Sequence, residues 1–412
     1  MKKNIVAALL VLLLFVTGCS QKIHGEDLMQ GIKRANTPQK LEVSVDSVSL
    51  TDFAVRLFRA SVEEGKNTLI SPLSVMSALA MTANGAKEDT LKQMETVLGM
   101  PTEELNSYLH SYVKALPQGE KYKLKLANSI WFTDDARFTV NQDFLQCNAD
   151  YYGADIYKTP FDDTTLKDIN NWVKDETDGM IPEILDKIPD DGIMYLVNAL
   201  AFDAEWAKIY EKTQVRDDIF TLENGTRQET AFMYSEEHDY LEDVNATGFM
   251  KYYKDCKYAF VALLPKEHVS VSEYVKGLNG EYLNQLLENH LNITVNTAIP
   301  KFETEYSTDM SEVLSNMGMP DAFDGLRANF SGLGTSTKGN IFINRVLHKT
   351  FISVGEKGTK AGSVTVVETV DTCSAVVEEP KQVYLDRPFV YMLIDCENNI
   401  PFFIGTMMNV NE

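Results

Sequence analysis

Residues 358–370 read Gly-Thr-Lys-Ala-Gly-Ser-Val-Thr-Val-Val-Glu-Thr-Val, and they constrain this chain more than any other stretch. The first half is small and flexible, and the second half favours β-structure. In an extended strand, alternate side chains share a face. One face would hold Thr359, Ala361, Ser363, Thr365, Val367 and Thr369, all uncharged and none larger than valine. The other would hold Lys360, Gly362, Val364, Val366, Glu368 and Val370, with both charges. This is the pattern of a strand that can enter the middle of a sheet with one face inward. A loop with that capability is unusual, because exposed strand-competent segments invite aggregation. Taken alone, the small run reads as a surface linker and the valine run as an ordinary strand.

The rest of the chain predicts one large α+β domain. No Ser/Gly-rich linker, repeat or low-complexity tract interrupts it, and its length suits one large body. Ser71-Pro72 is a helix start with Ser as cap and Pro at the first helical position. The apolar run 73–83 predicts a buried helix ended by Asn84-Gly85, and Leu91, Met94 and Leu98 mark another closed by Gly99. Ile169, Trp172, Val173 and Glu176 lie on an amphipathic stretch ending near Gly179. Strands are expected later, at 258–264, 341–346 and 349–354. The runs 389–394 and 402–408, on either side of Glu397-Asn398-Asn399, predict an antiparallel pair. Helices early and strands late give a mixed architecture.

Several functions are excluded or left without support. There are 38 basic and 60 acidic side chains, a formal charge of −22. That balance disfavours nucleic acid and anionic lipid as partners. No G-x-S-x-G, H-E-x-x-H or G-x-x-x-x-G-K-[ST] motif occurs. The segment 334–339 has phosphate-loop residue types in the wrong order and reads as a turn. The six histidines are not spaced as metal pairs, and the five cysteines contain no CxxC. No metal, no cofactor and no enzymatic activity are expected.

At the N-terminus, Lys2 and Lys3 precede the apolar run 5–16, followed by Thr17, Gly18 and Cys19. A charged start, a short apolar run and small residues describe an export signal; the run is short of the roughly 20 residues needed to span a bilayer. Val16-Thr17-Gly18-Cys19 resembles a bacterial lipobox, which makes Cys19 the lipidation candidate. The alternative is a plain secretory signal with an incidental cysteine. The expected organisation is a signal peptide at 1–18, a lipid-anchored tether at 19–44 and the folded domain at 45–412. This places the protein on a bacterial membrane, at the cell surface or on the periplasmic side.

Glu356, Lys357, Gly358, Thr359, Lys360, Ala361, Gly362 and Ser363 together resemble the hinge of a serpin reactive-centre loop, here about 356–385. The run 383–390, Val-Tyr-Leu-Asp-Arg-Pro-Phe-Val, matches the signature that follows such loops. Asn67 and then Ser71-Pro72-Leu73-Ser74 resemble the helix buried beneath the family's opening sheet. The stretch 198–206 resembles its strand and breach region, and Pro300-Lys301-Phe302, His348-Lys349 and Phe403-Ile404-Gly405 fall in the order the family has them. The chain therefore looks like a serpin from about Val45 onward. Asp203-Ala204 before Trp206 departs from the usual Lys-Gly, and Met180 stands where lysine is usual.

The resemblance implies a single domain with a large central sheet, additional sheets, a predominantly helical N-terminal half and an exposed loop. It implies a suicide substrate, monomeric, whose partner is a serine protease held as a covalent acyl complex. The membrane is touched only through the N-terminal lipid. Lys301 and Glu356 are candidates for an ion pair supporting the hinge. Ser71, Ser74, Asn198 and His348, with Trp206 in the breach, would lie where the sheet must part. Counting from Glu356 puts the cleaved bond at Thr372-Cys373, with Asp371 as an alternative. Thr372 suits a shallow apolar pocket of elastase or subtilisin type, whereas Asp371 suits acid-preferring serine or cysteine proteases. A non-inhibitory binding protein, favoured only by Val364, and a surface hydrolase or ligand-binding lipoprotein are the other readings.

Overall fold

The apolar run after Ser71 folds as helix α1 (Pro72–Ala83), and every one of its residues is buried. Pro72 opens it, where a missing N–H costs nothing. The Ser71 hydroxyl makes no capping bond. Its backbone N–H is directed to His348 Nε2 instead, at 3.0 Å, so this serine serves the sheet below more than the helix. Helix α2 (Asp163–Glu176) is capped by Asp162, whose side chain accepts from the Thr164 and Thr165 amides. Its apolar stripe of Ile169, Trp172 and Val173 is buried. The computed structural model describes residues 23–34, 47–116, 122–188, 193–254, 256–337, 339–359 and 379–411.

Seven strands form the central sheet among these residues: β1 (Glu26–Asp27), β2 (Tyr122–Thr133), β3 (Asp155–Thr159), β4 (Met194–Glu205), β5 (Phe302–Asp309), β6 (Arg345–Gly355) and β7 (Gly358–Thr359). Their order is β1-β3-β2-β4-β7-β6-β5. Both faces are covered. Leu196, Leu200, Phe202 and Ala204 of β4 enter the main core, while Tyr195, Val197 and Ala199 pack with α2. Double coverage is why β4 reads as a nearly continuous apolar run and not as an alternation. A second sheet, nine-stranded among the described residues, contains Tyr258–Pro265, Phe389–Asp395 and Ile400–Met407 as antiparallel neighbours. Strand Lys381–Tyr384, just after the loop, lies parallel to Leu291–Pro300.

The architecture is mixed α+β, and the N-terminal half supplies β1, β2, β3 and all of β4 alongside its helices. Two sequence expectations change. The runs 341–346 and 349–354 are one strand that begins only at Arg345. Ahead of it, Ile343 N donates to Ala322 O at 2.9 Å, and Asn344 Oδ1 accepts from Ile193 N at 2.9 Å. These contacts hold the backbone away from the ladder. In addition, residues 23–34 of the segment read as a tether do not hang free: Glu26 and Asp27 pair antiparallel with Lys158 and Tyr157 on the sheet edge. Among the described residues, no helix is long and apolar enough to cross a membrane.

Candidate functional site

β4 and β6 run parallel and pair directly only over residues 195–198 and 345–348. At their other end, the two residues of β7 sit between them. Gly358 pairs with Glu205 on one side and Gly355 on the other; Thr359 pairs with Ala204 and Val354. Neither pairing involves residues 199–203 or 349–353. The sheet is thus paired shut below, wedged above and uncommitted between.

Several contacts hold the wedge. Trp206 N donates to Lys357 O at 2.8 Å, and Tyr210 N to Glu356 O at 2.9 Å. Trp206 Nε1 donates to Gly355 O at 2.9 Å. Gly358 adopts φ +154, and a Cβ there would collide with the Ala204 carbonyl, so only glycine passes this point. Thr359 is 2% exposed, and its Oγ1 lies 2.6 Å from Tyr253 Oη. Inward burial of Thr359 agrees with the alternation read from the sequence. Tyr253 stacks on Trp206 with ring centroids 4.5 Å apart. Beside them, Lys251 Nζ stands 5.5 Å from the Trp206 ring and 4.4 Å from the Tyr210 ring, and it bonds Glu237 Oε1 at 2.6 Å. Burial draws the Lys251 pKa down, while Glu237 opposes that pull.

Sequence reasoning missed Tyr253, Tyr210, Lys251 and Glu237. One signal was present: Lys251 sits inside the largely apolar strand Ala246–Tyr252, where an unpaired lysine would be expensive.

Lys301 Nζ lies 2.8 Å from Glu356 Oε1, and this bond holds the Glu356 carboxyl below its usual pKa. Both side chains are more than a third exposed, so solvent screens the pair and its contribution is about 0–1 kcal/mol. Lys301→Ala should therefore lower the unfolding free energy measured by denaturant titration by no more than that amount. A loss of several kcal/mol would mean the hinge leans on this pair.

At the closed end, His348 is 2% exposed and Asn198 is buried. His348 Nε2 accepts the Ser71 amide, which places the imidazole proton on Nδ1. Asn198 Nδ2 donates to Asn128 Oδ1. His348 Nδ1, Asn198 Oδ1 and Ser71 Oγ are buried without partners. Ser74 is buried on α1. Burial lowers the His348 pKa to about 4, so the ring is neutral near pH 7. Lys360, Ala361, Gly362, Ser363, Asp371, Thr372, Cys373 and Cys19 lie outside the described residues.

A sheet paired at one end and wedged at the other, with a strand-competent segment next in the chain, defines a protein built around a strand slot. The serpin (serine protease inhibitor) family profile matches residues 48–410. Leukocyte elastase inhibitor of Equus caballus is 32% identical over 365 residues, 84% of this chain and 94% of its own length. The native state of tengpin, a thermophilic serpin, superimposes with a TM-score of 0.88 at 49% identity, covering 93% of this chain and 99% of that one. The latent state of tengpin gives 0.79 at 46% identity, covering 92% and 100%. The chain belongs to the serpin family.

Proposed function

We propose that this protein is an irreversible suicide-substrate inhibitor of extracellular serine proteases of elastase or subtilisin type. The loop is cut near Thr372-Cys373, and the protein is held on a bacterial membrane through an acylated Cys19. The protease serine attacks the Thr372 carbonyl and expels the amine of Cys373, so the acyl bond stays with the loop. The freed hinge then enters the slot.

The observation that carries this reading is the shared register of the wedge. Thr359 faces Ala204 on β4 and Val354 on β6, and the direct pairing lower down, Asn198 with His348, keeps the same offset between the two strands. The sheet need only part sideways by one strand, about 4.8 Å, without sliding along its length. Continuing that register would set Lys360 opposite Asp203 and Glu368 opposite Arg345, each charge meeting its opposite. Val364 would fall opposite Ala199, whose small side chain leaves room, and this weighs against the non-inhibitory reading. Thr365 would arrive beside Asn198 and His348, where its hydroxyl can serve the partnerless Nδ1 and Oδ1. Each buried unsatisfied group costs about 1–3 kcal/mol, so this adds to the drive for insertion. The likeness to leukocyte elastase inhibitor supports the choice of target.

Mixing with elastase should give an SDS-resistant adduct of summed mass, with the new terminus at Cys373 by mass spectrometry. Clean loop cleavage with undiminished protease activity would refute the inhibitory reading. Labelled palmitate should enter the full-length chain in bacterial cells and not its Cys19→Ala variant.

A further inference from the structure

The N-terminal arm is fastened at one end of the molecule. His24 N donates to Asp168 Oδ2 at 2.7 Å, and its ring Nδ1 lies 3.0 Å from Asp168 Oδ1 on α2. That carboxylate side chain is only 2% exposed. Ile23 packs against the apolar cluster beneath α2, and Leu28, Met29 and Ile32 pack against the main core. Leu28 N donates to Ile156 O at 2.9 Å, and Gln146 Nε2 to Lys33 O at 2.9 Å.

The pairings also give the arm a direction. β3 runs from Asp155 toward the closed end of the sheet, and β1 is antiparallel to it, so the chain before Glu26 points to that end. Stepping across β3, β2 and β4 by their registers places Ile23 about three residues beyond Met194, the lower end of β4. The hinge enters at Ala204, so the arm's start and the loop's entry are about 40 Å apart along the strands. Cys19 stands four residues before Ile23, a reach of at most about 14 Å. Exposed Asp134, Asp162 and Asp163 lie near this end and its exposed Arg137 is already tied to Asp135, which leaves the acyl chain as the attachment.

We infer that the docked arm mounts the protein on the bilayer by the closed end of its central sheet, with the end where β7 enters facing away from the lipid. This rests on the acylation of Cys19 proposed above. The mount has a consequence for the trap. In the register continued from Thr359, Thr372 would finish level with Ile23, four strands across, about 19 Å to the side. A protease of some 230 residues has a radius of gyration of about 17 Å. Full insertion therefore delivers the captured enzyme to the lipid-facing end, where it must tilt the body or free the arm.

The test uses the full-length acylated protein in phosphatidylcholine vesicles carrying acceptor-labelled lipid. A fluorescent unnatural side chain replaces either exposed Ala136, in the turn below β2, or exposed Lys208, just above β4. Energy transfer should be several-fold stronger from position 136 than from position 208. Asp168→Ala, checked for an unchanged fold by circular dichroism, should erase that difference while the protein still floats with the vesicles. Equal transfer from both sites, stronger transfer from position 208, or a difference that survives Asp168→Ala would each overturn the mount. Loss of flotation in the parent chain would instead remove the acylation on which the mount depends, and the two failures are read separately.

Discussion

Thr359→Arg is expected to leave the loop cleavable and to remove the covalent adduct. Thr359 points into the core between Ala204 and Val354, with its hydroxyl on Tyr253. An arginine there must either stay outside the sheet or bury a charge with no acid placed to receive it. The nearby buried cation, Lys251, already holds Glu237. An uncompensated buried charge costs about 3–5 kcal/mol. At about 1.36 kcal/mol per tenfold in rate, insertion should slow by roughly a hundredfold to a few thousandfold. Deacylation would then overtake insertion, and the protease would leave intact. The readout is the stoichiometry of elastase inhibition together with the SDS-resistant band. Thr359→Ser, which keeps the hydroxyl, should behave as the parent does. If the Thr359→Arg protein trapped elastase mole for mole, the wedge would not be where insertion begins.

The inward side of the hinge was legible because strand alternation is local: Thr359 is buried as its parity requires. The buried helix after Ser71-Pro72 was legible for a similar reason, since an apolar run flanked by start and stop signals needs no distant partner to be recognised. The Tyr253, Lys251 and Tyr210 group was not. Its members meet the hinge only after the second sheet has folded against the first, and no spacing in the chain records that meeting. The arm was hidden in another way. Among its described residues it carries two in a ladder, and its clasp joins His24 to Asp168, 144 positions apart. A polar stretch with so few paired residues reads as tether until its partner is known.

His348 should make the closed end of the sheet sensitive to acid. Its pKa is about 4 in the fold against an ordinary value of 6.5. Between those values the unfolded chain binds more protons than the native one, so stability falls as pH falls. The penalty is absent well above pH 6.5, grows through the window, and is complete below about 4. A shift of this size corresponds to about 3 kcal/mol. The physical cause is burial, which strips water from the charged ring; protonated Nε2 also could no longer accept the Ser71 amide. Because Asn198 and His348 form the last direct pair between β4 and β6, the loss falls on the contact that keeps the slot shut. Incubation at about pH 5, inside that window, should therefore speed conversion to an inactive, loop-inserted form relative to neutral pH, followed as residual elastase inhibition. Glu356 also titrates in acid, but its pKa is held below the usual carboxylate value and its pair is exposed, so it contributes later and less. His348→Gln retains an acceptor without a titrating ring and should flatten the pH dependence across the same interval. A variant with the parent's full acid sensitivity would place the responsible group elsewhere.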